Sequence, residues 1–185
     1  MELAALQGWG DTTLADIAEK AGLDAAALGL RFASKRALIA AFARHIDERM
    51  AAAGERGEGG DSARDRLFDT IMRRFDALAP YRKGVEAVLR HLARHPRGLA
   101  CACAGPFRQS LAAIAKAATL PDWGLLQPLR MQGLAAVYLM ALRTFLADDS
   151  ADLAKTMAQL DRLLARVESL LRMLPGSGAR RAEAG

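Results

Sequence analysis

Few side chains in this 185-residue sequence are spaced for bond-making chemistry. His91 and His95 stand four apart, which on a helix puts both imidazoles on one face, where they could share a metal ion. A closed zinc site needs four ligands, no third stands at an obvious spacing, and Pro96 follows directly. The pair reads as a solvated helix end, and no metal is assigned. Cys101 and Cys103 are two apart in a helical pattern and point to nearly opposite sides. They read as small buried thiols in a reducing cytoplasm. Asp148-Asp149-Ser150 reads as a helix boundary that offers a cap. With no Ser-His-acid set, Gly-rich phosphate loop or paired-carboxylate arrangement, the sequence assigns no catalytic residue and no cofactor, and an enzyme is not expected.

Recognition chemistry is better represented. Thr12 to Leu38 reads TTLADIAEKAGLDAAALGLRFASKRAL. Either threonine hydroxyl can cap a first helix, on which Leu14, Ile17, Ala18 and Ala21 share a face. Gly22 supplies the left-handed residue that ends it. Asp24 caps a second short helix, with Leu28 and Phe32 as its apolar edge. Two short helices around a Gly-containing turn make a helix-turn-helix. Trp9, in the turn before it, is placed to lid a small core.

These residues resemble the head of the TetR-type transcriptional regulators, which carry threonines before an IA-x-x-AG core, then a short helix, a Phe, Ser-Lys and a Leu. Here they are Thr12-Thr13, Ile17 to Gly22, Phe32, Ser34-Lys35 and Leu38. The resemblance implies a ligand-responsive DNA-binding regulator, a repressor by expectation, with an operator as partner. It makes Thr12, Thr13, Arg31, Lys35 and Arg36 the phosphate contacts. Ala25, Ala26, Ala27 and Gly29 stand where the family presents polar and aromatic side chains to DNA. Alanines cannot make the bidentate hydrogen bonds that separate bases, though they can touch a thymine methyl. The family's first helix is longer than Met1–Gln7, so the chain is expected to start late or from an internal methionine.

The charge distribution does not add to this. Residues 1–50 hold six basic and seven acidic side chains, a net of −1, so the overall +5 lies elsewhere. Phosphate neutralisation supplies most non-specific DNA affinity. Apolar residues make up 52% of the chain, enough for a sizeable core. No uninterrupted apolar run of about 18 residues suggests a membrane span, and no secretory signal is visible. A cytoplasmic protein is expected.

The elements that must position the motif are all helical: the fold class is all-α, about nine helices. A helix-turn-helix head (1–50) with a short first helix precedes a larger ligand-binding and dimerisation body (51–175), with a disordered tail at 176–185. Ser34 caps a helix running to about Ala53; GERGEGGDS then makes a flexible connection. Further helices are expected at about 63–78, 84–94, 97–118 and 127–147, the third of these broken near Gly105-Pro106. Trp123 sits in the loop LPDWG. The break, with apolar residues on several helix faces, suggests a pocket for an apolar small molecule or lipid, lined by Phe75, Leu89, Phe107, Arg108, Leu111, Tyr138 and Met140. In the last helix Leu153, Met157, Leu160, Leu164, Val167, Leu171 and Leu174 step by four and three, a coiled-coil-like seam that Leu163 and Leu170 widen. It is the expected homodimer interface, and the TetR-type resemblance implies that the last two long helices pair there as a four-helix bundle.

A second resemblance lies in the body. Phe75 to Val85, Gln132 to Tyr138 and Asp148 to Leu164 are similar to the lipid-binding accessory proteins of ubiquinone biosynthesis, which share the regulator fold. This implies the alternative of an isoprenoid- or lipid-binding protein with a vestigial head.

Overall fold

The computed structural model describes residues 1–54, 62–94, 96–122 and 124–173, with only the backbone of 96–104 and 172–173. The connection at 55–61, His95, Trp123, Leu174 and the tail lie outside the described residues, as do the side chains of Cys101 and Cys103. Nine α-helices follow in order among the described residues: α1 (Glu2–Gln7), α2 (Leu14–Lys20), α3 (Ala25–Arg31), α4 (Lys35–Gly54), α5 (Ala63–Leu78), α6 (Arg82–Arg94), α7 (Pro96–Ala117), α8 (Gln127–Ala147) and α9 (Ala154–Met173). Short 3₁₀ turns, Ala79–Tyr81 and Gly124–Leu126, lead into α6 and α8.

Local chemistry sets these boundaries. Thr13 caps α2 in a reciprocal box: its hydroxyl accepts from the Asp16 N–H at 3.1 Å, and its own N–H donates to the Asp16 carboxylate at 2.8 Å. The Asp24 carboxylate accepts from the Ala27 N–H at 2.9 Å and starts α3. Ser34 and Ser62 do the same for α4 and α5. Gly22 takes φ +65°, which lets the Gly22 and Leu23 N–H groups turn back to the Glu19 and Ala18 carbonyls.

Two cores result. The larger joins α4, α5, α7, α8 and α9 around Phe75, whose ring stacks on Phe145 with centroids 4.9 Å apart and on Tyr138 at 5.7 Å. The smaller gathers Ala4, Trp9, Val88 and Leu92, with Ile17, Leu38 and Ile39 against it. The short α1 is therefore not unsupported, because α6 of the body closes the head's core and packs along α1.

Three expectations change. α7 is continuous through Pro106 rather than broken; proline removes one hydrogen bond, while Leu111, Ile114 and Ala118 beyond it are buried and hold the helix to the body. Leu153 does not begin the last helix: it precedes α9 at φ +55°, buried in the core. Leu153, Leu160 and Leu164 are likewise buried within the chain, with Leu163. That edge of α9 packs on α5 and α8, while Met157, Val167 and Leu171 of the same seam stay partly exposed.

Candidate nucleic-acid interface

The head presents α3 outward. Leu28 alone among its residues is buried and anchors it to α2. Ala25, Ala26, Ala27, Gly29 and Arg31 are exposed, as is Arg36 at the start of α4. Successive helical residues turn by about 100°, so burying Leu28 swings Leu30 nearly opposite, and it stands 92% exposed. Leu23, at the turn, is 55% exposed. Sequence reasoning missed both; the signal was available in the inward position of Leu28. A Cβ at Gly29 would meet nothing within 4 Å, so the outer face of α3 is a smooth surface of methyl and methylene groups flanked by two arginines.

The threonines and Lys35 divide into different jobs. Thr12 is buried, its hydroxyl donating to the Gly8 carbonyl at 2.7 Å, so it braces the turn before α2. Thr13 is exposed at the helix start, beside the orphan N–H groups that favour anions. Its partner Asp16 has its carboxyl held below the usual range, chiefly by the Thr13 backbone N–H. Lys35 is turned inward. Its ammonium donates to the Trp9 carbonyl and, at 3.3 Å, to the Gly10 carbonyl, and lies 4.6 Å from the centroid of the Trp9 ring. Burial pushes the Lys35 pKa down, against the pull of the Asp11 and Asp16 carboxylates. Lys20 pairs with Glu2 at 3.5 Å. The exposed surface beside α3 thus relies on Arg31, Arg36 and the N-terminus of α2.

The residues expected to line a body pocket fall in three places. Phe75, Leu111 and Tyr138 are buried, with Phe107 packed beside them and its ring 6.1 Å from that of Tyr138. Leu89 lies on a groove of about 390 Å³ between α6 and α8, with Leu139, Leu142 and Leu146. Arg108 and Met140 are exposed. Tyr138 is also part of a buried polar cluster. Arg74 of α5 donates to Asp47 of α4 at 3.0 Å, to Ser110 of α7 at 3.0 Å and to the Tyr138 hydroxyl of α8. The Ser110 hydroxyl donates to Asp47 at 2.8 Å. His91 is half-buried rather than solvated: a Cβ at Gly10, in the turn before α2, would stand 3.0 Å from its Nδ1.

The family model described as bacterial regulatory proteins, tetR family, matches residues 1–42. Among solved structures, the TetR transcriptional regulator from Nitrosomonas europaea superposes with a TM-score of 0.72 at 25% identity, over 91% of this chain and 92% of that one. No curated protein matches the chain.

Proposed function

We propose, from the premise that this chain belongs to the tetR family of bacterial regulatory proteins, that it binds operator DNA as a dimer and represses transcription until an apolar small molecule is bound. The observation that carries this reading is the outward face of α3 on a head whose two short helices are capped and fixed by Thr13, Asp24, Gly22 and Lys35. Such a head serves to hold one helix rigidly against a groove. Arg31 and Arg36, with the α2 N-terminus at Thr13, would contact phosphates and set the register. Ala25, Ala26, Ala27 and Leu30 would read shape and thymine methyls.

The lipid-carrier alternative has less support. Phe75, Leu111 and Tyr138, which it would need around an isoprenoid, are packed on one another in the core. No helix among the described residues is long and apolar enough to cross a membrane.

Retention of fragments from upstream of the chain's own gene, across a salt series, tests the regulator reading. One fragment should be held at salt concentrations that release random DNA, with log affinity falling by about 0.9 per phosphate contact against log salt. Absence of retention of every fragment at low salt would overturn it.

A further inference from the structure

The outer face of α3 holds no hydrogen-bonding side chain. With the buried Leu28 taken as the inward direction, a turn of about 100° per residue puts Ala26 and Leu30 about 160° away from it on either side. One turn apart, they form the outermost ridge, flanked by Ala27 and Gly29. All four are exposed, and none can donate or accept a hydrogen bond through its side chain. Arg31 stands back on the flank, about 60° from Leu28. Asp24, at the start of the helix, uses its carboxylate as the cap, accepting from the Ala27 N–H at 2.9 Å. A Cβ at Gly29 would meet nothing within 4 Å, so the backbone is free to approach a groove floor with Leu30 as its leading side chain. Charge gives this face little help. Residues 1–50 carry a net −1, and the Lys35 ammonium is turned onto the Trp9 and Gly10 carbonyls. Phosphate attraction is therefore small and indifferent to sequence, and discrimination falls to what α3 touches.

The major groove offers such a face one apolar group, the C5-methyl of thymine. Thymine and cytosine differ there in two ways: the methyl, and an O4 acceptor against an N4 donor. A ridge of Ala26 and Leu30 senses the methyl and is blind to the donor or acceptor. The same methyl stands on the same ring carbon in 5-methylcytosine. Its partner purine changes from adenine to guanine, a difference carried in the major groove by N6 and O6, which this ridge has no polar group to detect. We propose that α3 reads its operator as a pattern of pyrimidine C5-methyl groups, so that 5-methylcytosine replaces thymine and cytosine methylation within a half-site tightens binding. Arg31 and Arg36 set the register on the phosphates, and methylation of the DNA becomes an input to the regulator. The inference rests on the regulator reading and names the chemical feature that the same face recognises.

The probe is the upstream fragment retained at the highest salt, rebuilt with uracil in place of thymine. Uracil keeps every hydrogen-bonding group of thymine and lacks only the methyl. The uracil form should bind more weakly by about fourfold for each contacted methyl. The slope of log affinity on log salt should stay the same, because no phosphate contact is lost. Single uracil substitutions locate the contacted positions. There, a 5-methylcytosine·G pair should bind within about twofold of T·A, and an unmethylated C·G pair about fourfold more weakly. Leu30→Ala, at an exposed position, should leave the melting temperature of the free protein unchanged and reduce the uracil penalty. A penalty that came only from altered DNA stiffness would be the same in both proteins. Leu30→Gln adds an amide able to pair with adenine N6 and N7, and should create a preference for T·A over 5-methylcytosine·G of about fivefold or more. Equal retention of the thymine and uracil forms, or a uracil penalty that Leu30→Ala leaves intact, overturns the inference while the regulator reading stands. Rejection of 5-methylcytosine·G as strong as that of C·G overturns it too. Failure to retain any upstream fragment at low salt overturns the regulator reading and takes this inference with it.

Discussion

Lys35 sits at the start of α4, yet its ammonium holds the Trp9 and Gly10 carbonyls and covers the Trp9 ring. A charge-assisted bond from a partly buried ammonium contributes about 1.5–3 kcal/mol. Lys35→Ala should therefore destabilise the head by about 1–2 kcal/mol and redden the Trp9 emission, as urea unfolding followed by fluorescence would record. A variant that kept full stability and lost only DNA affinity would make Lys35 a plain phosphate ligand instead. Asp148 is the second residue whose role exceeds its sequence signal. Asp148-Asp149-Ser150 announces a helix boundary, but the side chain reaches eight residues ahead, accepting from the Thr156 N–H at 2.8 Å and its hydroxyl at 2.7 Å. That reach needs the left-handed turn at Leu153, a conformation that a leucine in the sequence argues against. Burial works to raise the Asp148 pKa, yet the bonds from Ser150 and Thr156 outweigh it and hold the carboxyl well below the usual carboxylate range. A depressed folded pKa stabilises the native state above the unfolded value of about 3.9, and that stability is lost as pH falls toward the folded value. Asp148→Asn should cost about 2–4 kcal/mol at neutral pH. In urea melts at stepped pH, its deficit against the parent should shrink below pH about 4; a constant deficit down to pH about 2 would remove the carboxylate's charge from the account.

At the scale of elements, the helices were legible wherever the chain carries its own punctuation. Thr13 with Asp16, Asp24, Ser34 and Ser62 supply the caps found, and Gly22 supplies the turn. Pro106 misled because a helix's local preference yields to packing, here that of Leu111, Ile114 and Ala118 beyond it. What no local signal carries is the polar cluster that joins four helices, since Asp47, Arg74, Ser110 and Tyr138 meet across 27, 36 and 64 residues of chain. The cluster matters because α4 runs from the head to the body core and Asp47 is its polar tie there. Arg74 and Asp47 have side chains 7% and 11% exposed, so removing one partner strands the other. Asp47→Ala should cost about 3–5 kcal/mol, whereas Asp47→Leu combined with Arg74→Met should recover much of that loss. Thermal melts of the singles and the double would decide it. If the double is as unstable as the sum of the two singles, the pair is not the unit that ties α4 down.

At the scale of the whole molecule, the question is where a second copy would sit. The seam read from α9 was correct in period, but Leu160 is fully buried and Leu153 and Leu164 nearly so within one chain, because α5 and α8 already occupy that edge. Periodicity shows that a helix has an apolar face and leaves open which neighbour covers it. The apolar surface left outside lies on α8 and the far side of α9. Leu129, Gly133, Ala136 and Met140 step by four, three and four along α8, all exposed, and Leu170 of α9 is 63% exposed. Leu129 and Met140 are 59% and 46% exposed, and a Cβ at Gly133 would meet nothing within 4 Å. Small residues between large apolar ones let a second helix approach closely, and two copies of α8 and α9 would close this face as a four-helix bundle. Met140→Glu would place two carboxylates in that contact and should convert dimer to monomer in sedimentation at micromolar concentration. Operator retention should fall with it, because two half-sites bind cooperatively only when the heads are joined. Leu160→Ala is the contrasting change: a cavity in the protomer core costs about 2–5 kcal/mol of stability and should leave the folded protein dimeric. If Leu160→Ala dissociated the dimer and Met140→Glu did not, the interface would lie on the α9 seam after all, and the packing of α9 against α5 and α8 would have to open in the assembled protein.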